Sequence, residues 1–129
     1  MIGKMTDIGK QKICKAHSGA AALPRISRMA FGDGGLDGAG EPISVTGQEA
    51  ALRGQLLEKE IESYSFPDMV SANFVCRLTK PELAGKSLSE IGLMDEEGDL
   101  IAYRTTRAIG KDEDMEIEFT LTETFAEAE

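Results

Sequence analysis

The tightest constraint on the fold lies near the end of the chain. Met115, Ile117, Phe119 and Leu121 alternate there with Glu116, Glu118, Thr120 and Thr122. Successive side chains of a strand point to opposite faces, so this segment has one apolar face and one wet face. Such a strand belongs to an antiparallel sheet covered on one side. Residues 69–79 alternate in the same way, with Val70, Ala72, Phe74, Cys76 and Leu78 on the apolar face. Between these segments, the apolar runs Ile91–Met94 and Leu100–Tyr103 flank an acidic turn, Asp95 to Asp99. That pattern predicts a hairpin with Gly98 in the left-handed conformation.

The other elements are less sharply drawn. Met5, Ile8, Ile13, Ala16, Ala20 and Leu23 form a thin, alanine-rich apolar stripe. It predicts a helix over about 5–22, capped by Thr6 or Asp7 and ended by Gly19 and Pro24. A short strand follows, with Ile26 and Met29–Phe31 as its apolar positions. Residues 32–42 hold five glycines and read as a surface loop. Thr46 followed by Glu49 has the spacing of a capping box, which predicts a second short helix. That helix gives way to strand near Leu57, with Ile61 turned inward, and Pro81 opens a connection. The expected fold class is α+β: an N-terminal helix and a second short helix packed on a mostly antiparallel sheet of about five strands. A chain of 129 residues is expected to form one domain over 1–129. Its parts are a helical docking arm (1–24), the α+β body (25–124) and a frayed tail (125–129).

Charge divides the chain. Residues 1–28 carry six basic groups against one acid, net +5, and the remainder carries net −14. Two readings follow. The basic segment docks on its own acidic body, or it is an arm for another subunit, because charge complementarity steers association and fixes register. The candidate partner contacts are Ile8, Lys12, Ile13 and Lys15, where a thin stripe with a basic flank buries little by itself. The overall charge of −9 argues against nucleic acid and against an anionic membrane surface as partners. No apolar stretch approaches the roughly 20 residues that span a bilayer. The lysine-broken N-terminus has no signal-peptide core, and Cys14 and Cys76, far apart, are expected to be reduced, small buried thiols.

Reactive constellations are scarce. His17 is the one histidine, and Cys14 lies three residues before it. A thiolate dyad also needs an orienting group and an oxyanion hole, and neither can be placed, so no catalytic residue, cofactor or metal is assigned. The glycine loop lacks the Lys-Ser/Thr of a phosphate loop. Its acids Asp33, Asp37 and Glu41 lack EF-hand spacing and leave at most a weak surface calcium site within 32–41. The acidity also suggests a second class, a small acidic binding or inhibitor protein of the DNA-mimic type.

Three motifs, in order, carry a resemblance: "ISRMAFGDGG", then a Thr-initiated "QEAALRGQL…KEI", then "LSEIGLMDEEGDLIAYRT". Residues 29–35, 45–61 and 89–102 thereby make the chain resemble the N-terminal tail-collar fibre domain of tailed bacteriophages and prophages. The resemblance implies a non-enzymatic virion structural protein, made in the bacterial host cytoplasm. It further implies a collar or connector that attaches tail fibres to the baseplate or tail tip. The partners implied are baseplate or tail-tip proteins, a tail-fibre or receptor-binding protein, and further copies of the chain as a homotrimer. Family members often continue into a fibre shaft. This sequence stops at Glu129, which suggests a connector whose shaft is a separate or removed chain. Apart from the resemblance, Gly92 within its strand predicts a bulge or a close backbone approach.

Overall fold

A computed structural model describes residues 1–126. In chain order its elements are β1 (Lys4–Met5), α1 (Asp7–His17), β2 (Ile26–Gly32), β3 (Gln55–Glu60), β4 (Ser63–Asp68), β5 (Ser71–Leu78), β6 (Lys86–Asp95), β7 (Leu100–Lys111) and β8 (Ile117–Thr124). They build two antiparallel sheets, one ordered β1-β7-β6-β2-β3 and the other β4-β5-β8. Of the expected frayed tail, Phe125 donates its backbone N–H to Val70 at 2.9 Å, and 127–129 lie outside the described residues.

The expected α+β class is therefore corrected to mostly β: two sheets of five and three strands, with α1 the one helix among the described residues. Two physical reasons account for the difference. The Thr46–Glu49 side chains do bond the local backbone, with the Glu49 carboxylate accepting from Thr46 N at 3.1 Å and Gly47 N at 2.8 Å. The segment that follows is too short to repay helix nucleation. Its Leu52 is buried against the larger sheet, and the N–H groups of Arg53 and Gly54 are bonded to a strand rather than to a helix. The sheet divides because the chain crosses between layers within two residues. Ile61 N donates to Ser27 of the larger sheet, and Glu62 N donates to Val75 of the smaller one.

The main core lies between the sheets. Met29, Phe31, Leu88, Ile91, Leu93 and Ala102 of the larger sheet meet Cys76, Leu78, Phe119 and Leu121 of the smaller. Phe31 and Phe119 form a tilted ring pair 5.1 Å apart, a favourable arrangement for two aromatic quadrupoles. The alternating faces predicted for 69–79 and 115–122 supply the smaller sheet's share of this core. The second face of the larger sheet is also covered. Ala30, Met94, Leu100 and Tyr103 cluster there with Leu52, which the 33–54 segment lays across the strands. Two-sided cover explains why Met29, Ala30 and Phe31 are buried consecutively. At Gly92 a Cβ would lie 2.5 Å from a Leu100 methyl and 2.9 Å from a Leu52 methyl, the close approach expected from the sequence.

Helix α1 is shorter than its stripe suggested. Buried Thr6 caps it, accepting from Gly9 N at 3.1 Å while its hydroxyl donates to Leu100 O at 2.6 Å, which pins the helix to β7. It ends at His17 because Gly19, at φ +80°, turns the backbone left-handed, and Ala20 N donates back to Lys15 O at 3.0 Å.

The 33–54 segment differs from a free surface loop. Gly35 is buried, and a Cβ there would collide with the backbone carbonyl of Ser89, whereas Gly38 in the same segment faces open space. We expect Gly35→Ala to cost at least ~3 kcal/mol, since backbone cannot yield as a side chain can. Gly38→Ala should change stability by no more than about 1 kcal/mol. Urea unfolding of the two variants checks this; equal effects would show that the segment is not clamped.

Lys59 on β3 ties the larger sheet to the end of β5 and the turn after it, donating to Arg77 O at 2.6 Å and to Glu82 at 2.7 Å. Glu82 also accepts from the backbone and hydroxyl of Thr79, each at 2.8 Å. Partial burial opposes the Glu82 charge, but Lys59 and Thr79 outweigh it and pull the carboxyl from 4.5 down to about 2. A depressed acid adds stability above its unfolded value and loses it as pH falls through its folded value. The unfolding free energy of the parent should therefore decline from pH 4.5 towards about 2 more steeply than that of Glu82→Gln. Parallel profiles would rule out this linkage.

Candidate functional site

The sequence nominated the helix, and the structure places its four residues differently from one another. Ile8, Lys12 and Ile13 are half-buried, and Lys15 is exposed. Lys12 reaches the β6–β7 hairpin turn, where its ammonium lies 2.6 Å from Asp95, 2.9 Å from Glu97 and 2.6 Å from Asp99. Burial alone would depress the Lys12 ammonium, but the three acids overcome it and hold it well above its ordinary range. Asp95, itself buried, also closes the turn by accepting from Glu97 N and Asp99 N at 3.0 Å. Gly98 sits there at φ +84°, as the sequence indicated. Ile13 faces a groove shared with Leu23, Ile26, Ile101 and Phe125. Glu123 lines the same groove, and burial pushes its carboxyl up. Arg25 and Arg28 pair with Glu96 and Glu58, so several basic groups of residues 1–28 engage acids of the same chain.

The Asp95, Glu97 and Asp99 oxygens lie within 4.8 Å of one another, the one such group of acids among the described residues. Their donor chemistry suits a hard cation, and the Lys12 ammonium occupies that role. Two of the acids of 32–41 have partners of their own. Asp37 accepts from Ala39 N at 2.8 Å and Glu41 N at 3.0 Å, and Glu41 faces Arg107 at 3.7 Å. Cys14 is exposed, contrary to the expected burial. Cys76 is buried as expected, its thiol pushed up by desolvation and directed at Glu60 O.

The sequence did not single out Glu90. Its side chain is fully buried on β6 and accepts four hydrogen bonds: Gly34 N at 2.9 Å, Arg53 N at 2.8 Å, Gly54 N at 2.6 Å and Tyr103 Oη at 2.6 Å. Burial first, and then the carboxylate beside it, push the Tyr103 phenol above its ordinary value, so it stays a donor. Ser89 next to it accepts from Gly35 N at 2.9 Å. These bonds draw both ends of the 33–54 segment onto β6. They satisfy a buried charge with fixed donors, which is a structural rather than a catalytic task. The available signal was an acid inside an apolar run, two residues before Gly92, in a chain with a glycine segment rich in free N–H groups.

A family model described as the phage tail-collar fibre protein, N-terminal, matches residues 1–121. No curated protein and no solved structure matches the chain. The match takes in both sheets and the helix, and the chain belongs to that family. The family is structural, which makes this chain a component of a bacteriophage tail fibre.

Removing the Glu90 acceptor should leave three partly buried backbone donors and one buried hydroxyl without their partner. We expect Glu90→Ala to cost ~3–5 kcal/mol, since several donors lose their acceptor at about 1–3 kcal/mol each where water cannot replace it. Tyr103→Phe, which removes a single donor, should cost about 1–3 kcal/mol. Limited proteolysis should then cut Glu90→Ala first within 33–54. Cleavage unchanged from the parent would show that the carboxylate does not hold the segment.

Proposed function

We propose that the domain attaches a tail fibre to the baseplate or tail tip of the virion, as a homotrimeric connector that presents helix α1 to its partner. The observation that supports this reading is the family match across residues 1–121, which takes in the helix and reaches into the last strand, β8. The buried polar groups fit the same reading, because Glu90 and Asp95 serve the fold. Of the four nominated helix residues, Ile8, Lys12, Ile13 and Lys15, the first three are partly covered by their own body. Lys15, with exposed Lys10 and Gln11, offers the open basic surface. Lys12 supports the surface indirectly by fixing the helix against the hairpin.

Lys10→Glu with Lys15→Glu reverses that surface and leaves Lys12 in place. Phage carrying the pair should assemble tails that lack fibres in electron micrographs, with infectivity at least tenfold lower. The isolated variant should unfold at the parent temperature. Light scattering of the parent should give the mass of three chains. A full complement of fibres on variant tails would remove the helix from the interface, and a monomer at high concentration would remove the homotrimer.

A further inference from the structure

We propose that the free edge of β4 is a docking site for an extended strand of a partner protein, apolar at alternate positions and basic at its ends. A sheet edge invites pairing unless the chain guards it. Three of the four edges here are guarded. β1 covers only Ala102 and Tyr103, the rest of that edge, along β7, carries Arg104, Arg107 and Lys111, and β3 carries Glu58, Lys59 and Glu60. β8 is covered by the first residues of the chain, with Gly3 N donating to Thr122 O at 2.9 Å. β4 differs: Ser63 to Phe66 bear no charge, every residue of the strand is exposed, and it pairs on one side only, with β5. Pro67 stops the ladder at the far end, so the free stretch is short.

The side chains on this edge are those of a binding strand. Tyr64 is 66% exposed and Phe66 72% exposed, and their rings meet edge to face at 5.7 Å. They lie on the face of the smaller sheet that carries Phe74, opposite Tyr64 in register, and that face runs on to Ile26 and Ile61 as an open groove. Added to the edge, a strand gains backbone bonds from β4 and apolar contacts from the groove.

Charge selects the occupant. Glu62 precedes the aromatic stretch and Asp68 ends it, on a chain of net charge −9. A second copy paired antiparallel so that Tyr64 meets Phe66 would bring Glu62 towards Asp68 of the partner subunit, like charge against like. A strand with Lys or Arg at those positions removes the repulsion and complements both acids. This inference goes beyond the attachment role because it stands on the sheet edge alone, and a failed titration leaves that role untouched.

The test titrates the 15N-labelled full chain with the synthetic peptide Lys-Thr-Val-Thr-Val-Thr-Lys, and separately with the same peptide carrying Glu at both ends. We expect saturable amide shifts confined to about residues 62–75 with the first peptide, and binding at least tenfold weaker with the second. The exposed double substitution Tyr64→Ser with Phe66→Ser should abolish the shifts and leave the unfolding temperature unchanged. Three results would each overturn the proposal: no saturable shift at millimolar peptide, equal binding of the two peptides, or self-association by sedimentation that the double substitution abolishes.

Discussion

The buried carboxylate of Glu90 is the constraint around which the larger sheet closes. A charge removed from water must be fully bonded or it destabilises the fold. β6 carries this one into the interior, and among the described residues no cation is in ion-pair contact with it. Its donors come instead from Gly34, Arg53, Gly54 and Tyr103. Three of these belong to the two ends of one long segment, so satisfying the charge also fastens that segment over the second face of the sheet. Leu52 is then delivered against Leu100 and Tyr103, and the central strands become buried on both sides. Satisfaction of one polar group and burial of apolar area are therefore the same structural event.

The basic N-terminal segment serves the fold in a comparable way. Met1 to Gly3 lie beside β8 of the smaller sheet, while Lys4 and Met5 pair with β7 of the larger. Thr6 then starts the helix on β7, and Lys12 neutralises the hairpin acids. The polarity of charge along the sequence thus becomes a set of contacts within one chain, with Lys10 and Lys15 left on the outside.

What could be read from the residues followed from local rules. Strict alternation marked β5 and β8, and the turn chemistry of 95–99 marked the β6–β7 hairpin. The motif order carried the family. Where long-range contacts overrode local preference, reading failed. The Thr46–Glu49 pair is a genuine helix-start signal, and its bonds form, but the donors after it are taken by Glu90 from 36 residues or more away. Glu90 itself drew no notice, because alternation cannot reveal a second covered face. Consecutive burial of Met29 to Phe31 was the trace of that face, and an apolar triplet alone does not say what covers it. The helix contacts could be named as a set, but which lysine turns inward depends on an acidic turn 83 residues away.

The arrangement of Met1 to Gly3 on β8 has a mechanical meaning. The two segments run parallel, joined at Ile2 and Thr122. Tension between the chain's N-terminus and the end of β8 pulls such neighbours in opposite directions along their length. The bonds between them are then loaded together in shear, where a hairpin would unzip them one at a time.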